Sequence, residues 1–132
     1  MSEQNVETVR LSNEAFNRRD IEGVMADFDP DVEWEDLSSP LDVPSRARGT
    51  RAIREVLARW NQSFEELTAD VEEFIDAGDA VVCVTHWHAR GTGSGVPVDQ
   101  TSAEVYEFED GQIVRATLGY PSRADALQAL GG

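Results

Sequence analysis

The stretch that most constrains this fold lies just before the middle of the chain. Ile53, Val56, Leu57, Trp60, Phe64 and Leu67 recur at steps of three and four, with arginines and glutamates between them. That spacing predicts one amphipathic helix with a continuous apolar stripe. Such a stripe needs a broad apolar surface to lie on. The residues after position 70 supply one, because they read as strands. Val71 to Ile75 is followed by the turn Ala77-Gly78-Asp79. Ala80 to Ala89 is a nearly continuous apolar strand carrying His86, Trp87 and His88. The segment 91–95, Gly-Thr-Gly-Ser-Gly, reads as a hairpin tip; it lacks the following helix and the Lys of a phosphate loop. Val96 to Phe108 returns as a strand, Asp110-Gly111 turns, and Ile113 to Tyr120 is the last strand.

The remaining elements are helical. Val6, Val9 and Phe16 mark a first helix, and Asp20 is a plausible N-cap for a second that carries Ile21, Val24, Met25 and Phe28. Pro30 is expected to stop it. Val32 to Asp36 alternates as a short strand, residues 37–49 read as a loop, and Ser122 to Leu130 closes as a helix with Ser122 and Asp125 resembling a capping box. The order predicts a single α+β domain over residues 1–132. It is a cone-shaped, curved antiparallel sheet wrapped around a long helix, with two N-terminal helices.

Charge narrows the range of partners. The chain has 11 basic and 26 acidic side chains, a net −15, and all its cations are arginines. Such a field repels nucleic acid and anionic membrane surfaces, so neither is expected as a partner. The single cysteine, Cys83, excludes an intramolecular disulfide and reads as an inert buried thiol. No apolar run approaches the roughly 20 residues that span a bilayer, and the polar N-terminus lacks an apolar signal core. The expectation is a soluble, cytoplasmic protein. Arg46, Arg48 and Arg51 precede the long helix and are expected to offset the acidic surface.

Several short segments, in order and at sensible spacing, resemble the nuclear transport factor 2-like superfamily in its SnoaL-like or ketosteroid isomerase-like branch. They are Asp20-Ile21-Glu22, Val32-Glu33-Trp34-Glu35-Asp36, Gly49-Thr50-Arg51-Ala52-Ile53, the run from Val105 to Val114, and Ala126-Leu127. The resemblance spans nearly the whole chain. It implies a pocket between the concave face of the sheet and the helices, holding a small, mostly apolar carbonyl compound. In steroid isomerases of this fold an Asp acts as general base, and the matching position is Asp36. A second acid, kept protonated, donates to the dienolate oxygen, and the matching position is Glu104. Ketosteroid isomerase is the standard case of that tuning. The first-helix Tyr of those enzymes falls at about Ser12, and no tyrosine precedes Tyr106.

Strand alternation sorts the candidates. Glu104 shares a face with Ser102, Tyr106 and Phe108, while Trp34 shares one with Asp36. Two carboxylates in one apolar pocket cannot both ionise cheaply, so a pair at 36 and 104 would be split into an acid and a base. Trp34, Trp60, Tyr106 and Tyr120 are the expected aromatic walls. The family match turns His86 and His88 into the cone, with His86 available for proton transfer and His88 for substrate. The inverted arrangement, with Trp87 inside and both histidines outside, stays open because both faces of the strand begin apolar. Two histidines at i, i+2 lack the third ligand a metal needs, so no metal and no cofactor are expected. The doubly apolar strand 80–89 points to a homodimer through the outer face of the sheet. Two functions follow: acid–base isomerase or cyclase chemistry, or non-catalytic ligand binding on the same scaffold.

Overall fold

The computed structural model describes residues 2–37, 45–93 and 97–131. Helices α1 (Ser2–Asn17) and α2 (Ile21–Val24) lead into strand β1 (Phe28–Asp36) and the short strand β2 (Arg46–Arg48). Helix α3 (Thr50–Ser63) runs directly into β3 (Phe64–Asp76), and β4 (Ala80–Gly91), β5 (Pro97–Glu109) and β6 (Gln112–Tyr120) follow before α4 (Arg123–Ala129). The six strands form one sheet in the order β2-β1-β6-β5-β4-β3. Four of the five strand pairings are antiparallel, but β1 and β6 pair in parallel, so the sheet is mixed rather than wholly antiparallel. The meander β3 to β6 starts at the far edge and, after three reversals, brings its last strand beside β1 running the same way.

The long helix is shorter than its apolar stripe. It ends at Ser63, and Phe64 is already extended (φ −122°, ψ 127°). Phe64 and Leu67 are still buried, but on β3. A register shift between Phe64 and Glu66 adds a residue to the strand, so inward positions fall three apart instead of two. A bulge thus imitates helical spacing. The second helix likewise ends at Val24, well before Pro30, which lies inside β1 where the pairing is irregular between Phe28 and Glu33. An irregular ladder tolerates a residue without an N–H. Part of the expected loop 37–49 is strand β2; its residues 38–44, like Ser94 and Gly95 of the glycine-rich tip, lie outside the described residues. Asp110 and Gly111 both take positive φ (50° and 80°), as a tight hairpin requires.

Two cores result. The main one fills the concave side, where Ile53, Val56, Leu57 and Trp60 of α3 meet Val32, Val81 and Ile113. The smaller one lies on the outer face, where Ala126 of α4 covers Ala80, Val82, Ala103 and Val105. The apolar half of the outer face therefore has a cover within the chain. Strand β3 is an edge, and α1 blunts it: Asn17 accepts from the Ala69 N–H at 2.8 Å and donates to the Ala69 carbonyl at 3.0 Å. At the start of α4, Ser122 accepts from the Asp125 N–H as N-cap. Arginines bridge elements at the surface, among them Arg54 with Glu22 and Arg46 with Glu35.

Candidate functional site

A cavity of about 40 Å³ lies between the concave face and the helices. Helix α1 contributes Ser12, Asn13 and Phe16, α3 contributes Leu57 and Trp60, and β1 contributes Trp34. The floor is Cys83, Thr85 and Trp87 of β4, Glu104 and Tyr106 of β5, and Leu118 of β6. The volume admits a few waters. Ring contacts hold it closed: Phe16 meets Trp87 edge-on at 5.7 Å and Trp60 at 6.4 Å, and Trp34 meets Trp60 at 5.8 Å.

Among the described residues Glu104 is the one carboxyl in this lining, and it is 2% exposed. The β4–β5 register sets Cys83 opposite Glu104 and Thr85 opposite Ser102, so all four share the inner face. Thr85 donates its hydroxyl to Oε1 at 2.5 Å, and Ser102 donates to Oε2 at 2.6 Å. The Trp87 indole N–H donates in turn to the Ser102 hydroxyl at 2.9 Å. The Trp87 indole and the backbone N–H of Gly119 add their pull on the Glu104 carboxyl. These donors favour the ionised form, yet desolvation outweighs them and pushes the carboxyl up from its ordinary range. The same burial raises Cys83 and Tyr106, with the Glu104 charge a smaller contributor to each.

Gly119 reaches Glu104 because β6 bulges there. Ala103 pairs with Tyr120 and Val105 with Thr117, so Glu104 alone faces two residues, Leu118 and Gly119. Gly119 has φ 86°, a conformation that costs other residues about 1–2 kcal/mol. A glycine in the interior of a strand is the sequence signal for such a bulge, and it was the legible clue to this donor. Thr85 shares its face with Trp87, which the family match turns outward, so the expected inward set does not include it.

Of the expected site residues, Glu104, Trp34, Trp60, Tyr106 and Ser12 line the cavity. The Ser12 hydroxyl donates to the Val24 carbonyl at 2.8 Å. Asp36 is buried on the same face of β1 as Trp34 and pairs with Leu118, but the lining stops short of it. His86 and His88 are on the outer face, contrary to the inward orientation expected for them. Trp87 takes the inner face instead, since its indole covers more apolar surface against Phe16 and has Ser102 as partner. Burying one partnered indole costs less than burying two imidazoles. Tyr120 also lies away from the cavity, packed against the outer-face core.

Two polar atoms in this region lack partners. The indole N–H groups of Trp34 and Trp60 are buried with no hydrogen bond among the described residues. Each such donor costs about 1–3 kcal/mol if left unpaired. Both belong to cavity-lining side chains.

A curved sheet closed by helices over an aromatic cavity, with a buried carboxyl in its floor, defines the nuclear transport factor 2-like class of α+β cones. Residues 9–116 match the model of the SnoaL-like domain, and the chain belongs to that family. Solved structures agree. A protein of unknown function with this fold from Burkholderia pseudomallei K96243 is 26% identical, with 98% of each chain covered and a TM-score of 0.81. TerC, crystallised with polyporic acid, is 25% identical over 96% of this chain and 97% of its own, at TM-score 0.79. A protein from Catenulispora acidiphila DSM 44928 with a ketosteroid isomerase-like fold, solved with trimethylamine, is 18% identical over 95% and 92%, at TM-score 0.77. No curated protein matches the chain. No described helix is long and apolar enough to cross a membrane.

Proposed function

We propose that the chain binds a small, mostly apolar carbonyl compound in this cavity, with Glu104 as its neutral hydrogen-bond donor. The observation that carries the reading is a desolvated carboxyl, raised in pKa, inside an aromatic enclosure. The unpartnered indole N–H groups of Trp34 and Trp60 support it, because a ligand oxygen would restore the hydrogen bonds that folding removed from them. Polyporic acid, seen with TerC, is one ligand that a relative accepts. Acid–base isomerase or cyclase chemistry is the finer proposal. Glu104 would stabilise an enolate oxygen, and Asp36, further along the Trp34 face of β1, would take the proton. His86 and His88 have no part in it.

Non-catalytic binding is favoured by two observations: among the described residues the lining holds a single carboxyl, and the cavity is far smaller than the several hundred Å³ of most ligand sites. A thermal-shift screen of small carbonyl compounds identifies ligands through stabilisation by mass action. Glu104→Gln is expected to lose that shift in part. With a ligand that is also turned over, Glu104→Gln and Asp36→Asn should each slow the reaction about 100-fold or more. Unchanged rates would remove both from the chemistry and leave binding alone. A homodimer through the outer face belongs to the same proposal, with Ile75, Tyr120, Leu127 and Leu130 as its half-buried apolar contacts around α4.

A further inference from the structure

We propose that the outer face of the sheet carries a site for one divalent first-row transition ion, held by His86, His88 and Asp99. The missing third ligand comes from the neighbouring strand. The β4–β5 register sets Asp99 directly opposite His88, with His86 one pleat away on the same face. Nε2 of His86 and Nδ1 of His88 lie 3.2 and 2.8 Å from the same carboxylate oxygen, Oδ1 of Asp99. The three ligand atoms all fall within 4.8 Å of one another. The two rings are stacked at 4.3 Å, with 29° between their planes. Ligand atoms around a tetrahedral ion at bonds of about 2.0–2.2 Å stand roughly 3.3 Å apart, so small rotations of exposed side chains bring these three to bonding positions.

The chemistry of the set selects the ion. Two imidazoles and a carboxylate suit zinc, nickel or copper, whereas magnesium and calcium take oxygen ligands. On binding, each imidazole offers a lone pair from the ring nitrogen that faces Asp99, any proton on that nitrogen moving to the other ring nitrogen or to water. No co-reactant is needed. The surroundings favour a cation: Asp70 of β3 lies opposite His86 on this same face, and Thr68 and Thr101 complete the rows. Asp70 is exposed and is the nearest further carboxylate by register. The site is on the opposite side of the sheet from the cavity. On β4 it stands four residues beyond Val82, the nearer residue of the apolar patch under α4, a separation of roughly 13 Å along the strand.

The composition makes the test clean, since the chain has two histidines and its one cysteine is buried. Untagged protein is titrated with zinc chloride by calorimetry. One ion per chain is expected, with His86→Ala, His88→Ala and Asp99→Asn each weakening it about tenfold or more and the double histidine variant losing it. Proton NMR gives an independent reading, because both imidazole resonances should shift and saturate at one equivalent of zinc. All three substitutions are at exposed or half-exposed positions, and matched circular dichroism spectra check the fold. An absence of binding overturns the proposal. So does equal binding by the double histidine variant, which would trace the ion to the acidic surface, or imidazole resonances that do not move.

Discussion

Glu104 concentrates the chemistry of this molecule in one side chain. Its carboxyl is raised above the ordinary range by desolvation, against the pull of Ser102, Thr85 and Gly119. The folded state therefore binds more protons than the unfolded chain between the two pKa values. The contribution of this group to stability is whole below the unfolded value and fades as pH rises through the folded one. Urea midpoints of the native protein should accordingly fall, relative to those of Glu104→Gln, on going from acid towards neutral pH. A difference between the two that is flat with pH would mean that the carboxyl titrates normally. The exposed ion pairs contribute little by comparison; Arg115 with Glu33 and Arg123 with Glu73 are half exposed and screened.

At the scale of elements, bulges place the site. The irregularity at Gly119 turns a backbone N–H towards Glu104 and bends β6 where the cavity floor begins. Gly119→Ala should cost about 1–2 kcal/mol in urea denaturation, because φ 86° is disfavoured for any residue with a Cβ. No loss would show that the strand relaxes without a positive φ. The bulge at the start of β3 explains why the helical stripe was legible and its end was not. Ile53 to Trp60 followed the helical period truly, whereas Phe64 and Leu67 continued it only because an extra residue in a strand shifts the inward positions. Pro30 misled in the same way, since a proline that ends helices also fits an irregular strand.

At the scale of the whole molecule, the two faces of the sheet divide the work. The concave face holds the main core and the cavity; the outer face holds an apolar end under α4 and a polar end with both histidines. The double apolar character of strand 80–89 calls for a cover on the outer face, and part of that cover is α4. The proposed homodimer then rests on the half-buried apolar rim around that helix. Sedimentation at micromolar concentration should show a dimer, and a monomer would remove this contact from the proposal. The acidic net charge opposes self-association, so the dimer is expected to tighten with added salt.

Local patterning by itself determined the α+β class, the main helix, the hairpin at Asp110-Gly111 and the shared face of Glu104, Ser102 and Tyr106, because these depend on the helical period, strand alternation and glycine torsions. Only the tertiary structure decided which face of β4 turns inward, that Asp36 stays outside the cavity lining, that β1 pairs in parallel, and that Asp99 joins the two histidines. Each of these rests on a register between strands distant in sequence. A shift of one residue exchanges the two faces of a strand, and when both faces begin apolar, as in residues 80–84, only packing against the rest of the fold selects between them.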